Sequence, residues 1–293
     1  TGLLRGNPAG QTVAVRADMD ALPIQELTNV PYKSLNPGAM HACGHDVHTT
    51  IVLGTAMVLN ALKDKVEGNV KFIFQPAEEG APEGGEAGAS LMIKEGVLDE
   101  PAVGAIFGLH VWPDTRVGHV NFSSGPIMAS ADHFEVAIKG KSAHGARPHE
   151  GVDAIVVAAE AIAALQFMVS RFLDPTDPAV LTIGKIEGGV RDNIIADKVT
   201  FSGTVRTLSE TNRKKVPRLM ENVIKGVTQS FGATYALDYK LNLPSVYNHP
   251  ELAATMLPTL TNLLGSDNVE ELKPQMVAED FSFYAQKIPG FFF

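Results

Sequence analysis

The feature that most constrains the fold is an alternation of short apolar runs and helix-like segments over the first 110 residues. Residues 12–17, 70–74 and 105–109 have the length and apolar character of strands, whereas 51–62 and 89–95 favour helices. A strand–helix–strand–helix–strand order predicts an α/β layer with a largely parallel sheet. Because residues 51–62 are apolar on nearly every face, we expect this helix to be buried.

The pattern changes near residue 126. From there to residue 241 the order is strand, helix, strand, strand, helix, strand, at 133–138, 152–172, 180–186, 199–207, 210–231 and 235–241. This β-α-β-β-α-β order is typical of a ferredoxin-like domain. The chain then returns to helix and loop, with a helix predicted over 252–264. We therefore predict that residues 1–125 and 242–293 form one domain and that residues 126–241 are inserted as a second, smaller one.

Composition excludes some classes of protein. The chain carries 24 Lys and Arg against 33 Asp and Glu, a net charge of −9, and without a basic cluster it is a poor candidate for binding nucleic acid. No apolar run reaches the ~18 residues that a membrane helix needs. The one cysteine, Cys43, precludes an internal disulfide and favours a reducing, cytoplasmic compartment.

The chain begins at Thr1 and stops on an apolar run at 289–293 that indicates a buried strand, so we expect missing sequence at both ends.

Polar side chains follow the predicted strands of the first domain. Asp18 and Asp20 follow the first strand, Glu78 and Glu79 follow the second, and His110 follows the third. Sites in open α/β sheets form beyond the carboxyl ends of the strands. We therefore expect these groups to converge.

The segment HACGHDVH at 41–48 leads into the apolar helix and adds Cys43 and His45. Thiolate, imidazole and carboxylate together suit zinc and neighbouring divalent transition metals. Taken alone, Cys43 is better explained as a small buried residue, and a single histidine as a structural one. Several such groups at the ends of elements favour a metal site instead. A surface charge remains the alternative for Asp18 and Asp46.

The two adjacent glutamates suit two different tasks. Pro76 ends the strand, so the backbone after it is irregular and neighbouring side chains need not point apart as they would in a strand. One glutamate can bind a metal while the other takes a proton from water, whose pKa the metal lowers to about 7. Asp20 suits an orienting role, in which it holds a ligating histidine.

Six motifs carry a family resemblance: RADMDALP at 16–23, HACGHD at 41–46, QPAEEG at 75–80, GLH at 108–110, SAHGARPH at 142–149 and AEDF at 278–281. They resemble the aminoacylase/carboxypeptidase family of dinuclear metallohydrolases, and most of all its amidohydrolase branch of hippurate and indole-acetyl-amino-acid hydrolases. The resemblance spans essentially the whole chain. It implies a zinc-peptidase-like catalytic domain with a mixed, largely parallel sheet and an inserted ferredoxin-like lid.

Carried over by position, the resemblance implies metal ligands at Cys43, His45, Glu79 and His110, with Glu78 as the general base. It also implies two divalent metal ions, and the ligand set admits manganese, zinc, nickel and cobalt. The family supplies a further metal-binding histidine near its C-terminus. No histidine follows His249 here, so the site in this chain is expected to be incomplete.

The resemblance assigns three residues to the lid. It implies that His144 contacts the reacting carbonyl, and that Asn193 and Arg206 meet the carboxylate of the substrate. On the residues alone, His144 would be a loop histidine with a local hydrogen bond, Asn193 a turn residue and Arg206 a surface cation. The family's small domain also mediates homodimerisation. We expect His144 to be far from the metals within one subunit and to reach the site by domain closure or from the partner subunit.

The predicted function is hydrolysis of the amide bond of N-acyl amino acids by metal-activated water, with Glu78 as the base and the acyl group left open. A dipeptidase or carboxypeptidase of the same family is the nearest alternative. A cysteine hydrolase using Cys43 is another, but the glutamate pair has no task in that mechanism. A non-catalytic metal-binding protein on the same fold is a third, although it would need no free base.

Overall fold

The computed structural model describes residues 1–80, 86 and 88–293, and it divides into two compact units. The first unit consists of Thr1–Ile127, Val246–Lys273 and Glu279–Phe293, and the second consists of Met128–Ser245 and Pro274–Ala278. The sequence predicted an inserted domain over 126–241. The second unit runs four residues further by this division, to Ser245, and it also contains the short segment Pro274–Ala278.

Strands and helices alternate through both units. The strands are β1 (Gly2–Arg5), β2 (Asn7–Asp18), β3 (Glu67–Gln75), β4 (Val103–Gly108), β5 (Val120–Phe122), β6 (Gly125–Met128), β7 (Ala131–Lys139), β8 (Ala143–His144), β9 (Ala179–Gly188), β10 (Ile194–Ile195), β11 (Lys198–Thr207), β12 (Thr234–Leu243), β13 (Val246–Asn248), β14 (Val269–Glu271) and β15 (Gly290–Phe292). The helices are α1 (His45–Ala61), α2 (Gly88–Lys94), α3 (Ala154–Phe172), α4 (Glu210–Ser230), α5 (Pro250–Leu264) and α6 (Phe281–Ala285). Single 3-10 turns lie at Lys63–Lys65, Pro148–Glu150 and Ser266–Asn268.

The first unit is built on a five-stranded sheet with the order β1-β3-β2-β4-β15. Strand β2 pairs in parallel with β3 and β4, β15 pairs in parallel with β4, and β1 pairs antiparallel with β3. The sheet is therefore mixed and largely parallel, as predicted. Because β2, β3 and β4 run in the same direction, their carboxyl ends, at Asp18, Gln75 and Gly108, lie at one edge of the sheet.

Helix α1 begins at this edge, directly after a left-handed turn at Gly44 with φ 88°. A Cβ atom at Gly44 would lie 2.6 Å from Cγ2 of Val111, so both the turn and the close packing require glycine. The turn lets Cys43 precede the helix while His45 enters it on the buried side.

The prediction that the helix over 51–62 is buried is wrong for its outer side. Val52 is 1% exposed and packs against β3, whereas Leu53, Met57 and Val58 are 52%, 69% and 59% exposed. A pattern that is apolar on every face does not say which face packs. In the described part of the chain, the sheet covers the side of α1 that carries Val52.

The second unit has the order β7-α3-β9-β11-α4-β12, with the two-residue strands β8 and β10 paired to each other. Its four-stranded sheet is antiparallel and has the order β12-β7-β11-β9. Strand β7 alternates as expected for a half-exposed strand, with Phe134, Val136 and Ile138 fully buried. These side chains share one hydrophobic core with residues of both long helices, among them Leu165, Met168, Met220 and Ile224.

Helix α3 is long and apolar enough, with 19 residues and a mean hydropathy of 1.6, to meet the length and composition of a membrane span. Its buried side chains are Ala154, Val157, Ala158, Ala161, Leu165 and Met168. They recur at helical spacing and belong to the core of the second unit. Packing on the sheet therefore explains the apolar residues on one side of this helix.

Candidate metal centre

The four side chains predicted as ligands converge at the carboxyl edge of the first unit's sheet. The Sγ atom of Cys43 lies 3.4 Å from Nε2 of His110, and ligand atoms of Cys43, His45 and His110 all lie within 4.8 Å of one another. Oε1 of Glu79 lies 3.9 Å from Nε2 of His45, and these two residues form a second such group with Glu78. The groups come from four places: the turn before α1, α1 itself, the loop after β3, and the loop after β4.

Hydrogen bonds fix which nitrogen of each histidine is free. Nδ1 of His45 lies 3.2 Å from Oδ1 of Asp20, and Nδ1 of His110 lies 2.7 Å from the carbonyl oxygen of Val111. Both oxygens only accept, so each Nδ1 carries the proton and each Nε2 presents a lone pair. Nε2 of His45 is buried and has no hydrogen-bond partner among the described residues. A buried nitrogen without a partner is costly, and it is the kind of atom that a metal ion satisfies.

Asp20 joins two of the converging groups. Its Oδ1 accepts from His45, and its Oδ2 accepts from the backbone N–H of Glu79 at 3.1 Å. Burial alone would raise the pKa of Asp20, but these hydrogen bonds lower it to about 2. The carboxylate is therefore ionised at neutral pH and orients both neighbours, which fits the orienting role expected from the sequence.

His48 and Asp18 form a hydrogen-bonded pair beside the candidate ligands. Nδ1 of His48 donates to Oδ1 of Asp18 at 2.6 Å, and Nε2 accepts from the backbone N–H of Val111 at 2.9 Å. Asp18, His45 and His48 are close enough to hold an ion, yet both ring nitrogens of His48 are already engaged. The alternative that Asp18 is a surface charge is wrong, because it is fully buried. Asp46 is exposed, as a surface charge should be.

The two glutamates point to different neighbours. The residue before them, Ala77, has a left-handed φ of 57°, which is unusual for a residue other than glycine and breaks the alternation of the strand. Glu79 faces His45, whereas Oε1 of Glu78 accepts from the backbone N–H of Asp280 at 3.2 Å. Burial and the carboxylates of Glu279 and Asp280 raise the pKa of Glu78 above its usual range.

The surroundings of Cys43 suit a metal ligand better than a nucleophile. Burial and the nearby Glu79 and Glu78 raise the pKa of this thiol to about 12. Catalytic cysteines are instead kept as thiolates by positive surroundings that lower the pKa. A divalent cation here would offset the carboxylates and stabilise the thiolate. One sulfur, two imidazole nitrogens and a carboxylate form a donor set that fits zinc and related divalent ions.

The loops that carry His144 and Asn193 lie together in the second unit. Strand β8 ends at His144 and pairs with β10, and the backbone N–H of Gly145 donates to the carbonyl oxygen of Asn193 at 2.9 Å. The backbone N–H of Ala146 donates to Nδ1 of His144 at 3.0 Å. In its neutral form the exposed His144 ring therefore carries its proton on Nε2, where it can be donated outward.

Arg206 also lies in the second unit, on strand β11, and is half-buried. Its Nη1 donates to the carbonyl oxygen of Met276 at 3.3 Å. That contact is with the segment Pro274–Ala278 and not with the paired loops that carry His144 and Asn193. The role of Arg206 with a substrate carboxylate stays a prediction.

Sequence reasoning missed the residue at the centre of this network, Arg16. Its side chain is fully buried in β2, and it forms ion pairs with Asp18, Glu279 and Asp280 at 2.7–2.9 Å. A signal was present, because Arg16 and Asp18 are two apart in a strand and so share one face. Charged residues are almost never buried without a partner, so a buried strand with two of them predicts a network.

Comparison with known proteins identifies a family for this chain. Residues 14–293 match the model of peptidase family M20/M25/M40. The chain is 42% identical over 289 residues to an N-acetylcysteine deacetylase of Bacillus subtilis, covering 99% of this chain and 74% of that protein. It is 39% identical over 293 residues to thermostable carboxypeptidase 2 of Saccharolobus solfataricus, covering 100% of this chain and 72% of that protein.

A solved structure agrees with the sequence relatives. The YXEP protein of Bacillus subtilis, described as a dinuclear metal binding peptidase from the M20 family, has a TM-score of 0.83 and 39% identity to this chain. The match covers 99% of this chain and 73% of that one. This chain therefore belongs to peptidase family M20/M25/M40, and its mixed sheet is the sheet of that family's α/β fold.

Proposed function

We propose that this protein is a metal-dependent amidohydrolase that cleaves the amide bond of N-acyl amino acids. The observation that carries the proposal is the convergence of Cys43, His45, Glu79 and His110. The buried Nε2 of His45 at its centre has no hydrogen-bond partner among the described residues. The relative named as an N-acetylcysteine deacetylase supports this choice of substrate class. The carboxyl group of Glu78 beside the cluster supports catalysis over simple metal binding, because a site that only binds metal needs no general base.

Each group in the first unit has a task in this reaction. Cys43, His45, Glu79 and His110 would hold two divalent ions, which supply electrophilic polarisation of the amide carbonyl and lower the pKa of water. Glu78 takes the proton of the attacking water and returns it to the leaving amine. Asp20 keeps the His45 ring and the loop of Glu79 in place.

The second unit would serve as a ferredoxin-like lid, and its β-α-β-β-α-β order supports that assignment. Nε2–H of His144 donates to the oxyanion that develops when water adds to the amide carbon. Asn193 and Arg206 hold the carboxylate of the substrate. His144 reaches the substrate either by closure of the second unit or from the partner subunit of a homodimer.

A homodimer through the second unit is part of the proposal. Strand β9 is an edge strand of the four-stranded sheet, and Val180 and Ile186 on it are exposed. Ile155, Val156 and Phe167 on α3 are exposed as well. An uncapped edge with apolar side chains is a favourable surface for pairing with a second copy.

The test is a substrate panel on the full-length protein, before and after removal of metal. N-acetyl, N-benzoyl and indole-acetyl amino acids are compared with dipeptides of the same C-terminal residue. We expect the N-acyl amino acids to be hydrolysed, the activity to vanish on chelation, and manganese or zinc to restore it. Undiminished activity in metal-free protein would refute the proposal and favour a cysteine mechanism.

The same panel decides the second candidate, a carboxypeptidase or dipeptidase. This candidate rests on the relative named as a thermostable carboxypeptidase, which is 39% identical to this chain. A carboxypeptidase would prefer the dipeptides and would also shorten longer peptides. Preference for acetyl or benzoyl groups over an aminoacyl group would exclude it.

A further inference from the structure

We propose that Arg16 is a positioning residue whose guanidinium group orients the metal ligand His110 through one nitrogen and the general base Glu78 through another. The inference rests on the proposed function, because it gives two separable tasks to a network that lies beneath the candidate centre. Arg16 itself is a fully buried side chain of β2. It acts through Asp18 on one side and through Asp280 on the other.

The first arm leads to the ligand His110. Nη1 of Arg16 donates to Oδ2 of Asp18 at 2.7 Å, and Oδ1 of Asp18 accepts from Nδ1 of His48 at 2.6 Å. Nε2 of His48 in turn accepts from the backbone N–H of Val111. The carbonyl oxygen of the same Val111 fixes the ring of His110. The orientation of the His110 lone pair therefore depends on a chain of bonds that begins at Arg16.

The second arm leads to Glu78. Nη2 of Arg16 donates to Oδ1 of Asp280 at 2.7 Å, and Nε2 of Gln75 donates to both oxygens of Asp280 at 2.8 and 2.7 Å. The backbone N–H of Ala89 adds a further bond to Oδ2 of Asp280 at 2.8 Å. The backbone N–H of this anchored residue is the one that donates to Oε1 of Glu78.

The backbone at the start of α2 leaves room for the carboxylate of Asp280. Gly88, at the start of α2, has a left-handed φ of 62°, and a Cβ atom there would collide with the carboxylate of Asp280. Gln75 is held by Nε of Arg16, which donates to its Oε1 at 2.9 Å. The carboxylate of Asp280 therefore has several donors aimed at it, and an amide in its place would present an NH₂ group to other donors.

A purely structural role does not explain the charge balance. One guanidinium faces the carboxylates of Asp18, Glu279 and Asp280 at ion-pair distance, so the buried cluster has an excess of negative charge. Burying charges costs more than an apolar packing of the same volume would, and buried ion pairs are weak contributors to stability. The arrangement is instead explained by the groups that its acidic residues bind: His48 through the carboxylate of Asp18, and Glu78 through the backbone N–H of Asp280.

The experiment separates the two arms in the full-length protein. Asp18→Asn breaks the first arm, Asp280→Asn breaks the second, and Arg16→Lys weakens both because an ammonium group lacks the planar fork. Arg213→Lys is the matched control, since Arg213 is a buried arginine that pairs with Asp132 at 2.9 Å in the second unit. The readouts are affinity for manganese by calorimetry, kcat and KM, and the midpoint of thermal unfolding.

We expect Asp18→Asn to lower the affinity for manganese roughly 10–100-fold. Asp280→Asn should leave that affinity unchanged and lower kcat roughly 10–100-fold, with little change in KM. Arg16→Lys should show both losses, and Arg213→Lys should change only the unfolding midpoint. The proposal is overturned if both asparagine variants change affinity and kcat in parallel, or if the control changes them as much.

Milder variants cover the case in which an asparagine variant does not fold. Gln75→Met removes the two bonds to Asp280 and the bonds that Oε1 of Gln75 accepts from Arg16 and Tyr284. His48→Phe removes the bond to Asp18 and the bond from the backbone N–H of Val111. Manganese affinity needs no substrate, and hydrogen exchange at the amide of Asp280 reports the second arm directly. If the wild type hydrolyses no amide, the proposed function fails, while faster exchange in Gln75→Met still supports the arm and unchanged exchange overturns it.

Discussion

The carboxylate of Asp20 holds the imidazole of His45 at 3.2 Å through Nδ1 and so turns Nε2 towards the centre of the cluster. The other oxygen of the same carboxylate holds the backbone N–H of Glu79. One side chain thus holds two candidate ligands, the imidazole of His45 and the backbone of Glu79, in place together. Partners of this kind tune metal affinity almost as strongly as the ligands do.

Replacing Asp20 by alanine should weaken metal binding roughly 10–100-fold, because the His45 ring and the loop of Glu79 lose their common anchor. Titration calorimetry with manganese or zinc measures the change. Asp46→Ala is the control, since Asp46 is an exposed residue in the first turn of α1 and its loss should leave the affinity as it is. Equal affinity of Asp20→Ala and the wild type would contradict the orienting role.

The two glutamates should respond differently to amide substitution. Glu78→Gln removes the proton acceptor and should lower kcat roughly 10²–10⁴-fold while the metal content is kept. Glu79→Gln should lower the metal content as well, because it removes a charged ligand. Metal analysis of both purified variants, alongside kinetics, measures the difference. Loss of metal in Glu78→Gln but not in Glu79→Gln would reverse the assignment.

The thiol of Cys43 should be unreactive in the metal-free protein near neutral pH. Because its pKa is raised to about 12, the thiolate fraction and the rate of alkylation by iodoacetamide should keep rising about tenfold per pH unit above pH 9. The denatured chain is the internal control, since its one cysteine should level off above its ordinary pKa of about 8.5. A plateau at or below pH 8 in the folded protein would point to an activated nucleophile.

Loss of the His144 imidazole should slow the chemical step. Removing one donor to an oxyanion raises the barrier by about 2.7–4 kcal/mol, so His144→Ala should lower kcat roughly 10²–10³-fold. His149→Ala is the matched control, because His149 is an exposed histidine of the same loop. Metal content and oligomeric state are measured in both variants. An unchanged kcat, on a substrate for which chemistry limits the rate, would return His144 to a local structural role.

Charges placed on the exposed apolar side of the second unit should disrupt the proposed homodimer. Phe167→Glu on α3 and Ile186→Lys on β9 put a charge where an apolar contact is expected, and sedimentation velocity of the full-length protein should then show monomers. Phe231→Glu, at an exposed phenylalanine that follows α4, is the control and should stay dimeric. A dimer that survives both substitutions would place the interface elsewhere.

Much of the fold follows from local pattern. The strands β2, β3 and β4, and the long helices α3 and α4, lie within a few residues of their predicted positions, because each has a strong periodicity of its own. The short strands β1, β5, β6, β8, β10, β13 and β14 escaped prediction, since two to four residues carry no periodicity and are defined by their partners. The burial of the outer side of α1 was predicted wrongly for a related reason. Apolar residues on every face of a helix do not indicate which face packs against the rest of the protein.

The candidate site likewise has some features that the sequence predicts and others that depend on tertiary contacts. The chemical types of Cys43, His45, Glu79 and His110, and their positions at the ends of elements, are visible in the sequence. Arg16 and Asp18 hint at a buried network, but its distant members are not visible, because Arg16 and its partner Asp280 are 264 residues apart and only the folded chain brings them together. The free nitrogen of each histidine also depends on tertiary contacts, such as the bond from His110 to the carbonyl oxygen of Val111.

The main segment of the second unit, Met128–Ser245, begins and ends next to two strands that pair with each other. Strands β6 and β13 are hydrogen-bonded neighbours, and Oγ of Ser245 donates to the carbonyl oxygen of Met128 at 2.7 Å. An insertion whose ends meet can be gained, lost or exchanged in evolution as a single event, without re-threading the sheet that receives it. A chain of this architecture can therefore acquire new specificity by replacing one contiguous block, while the block that carries the candidate metal ligands is inherited intact.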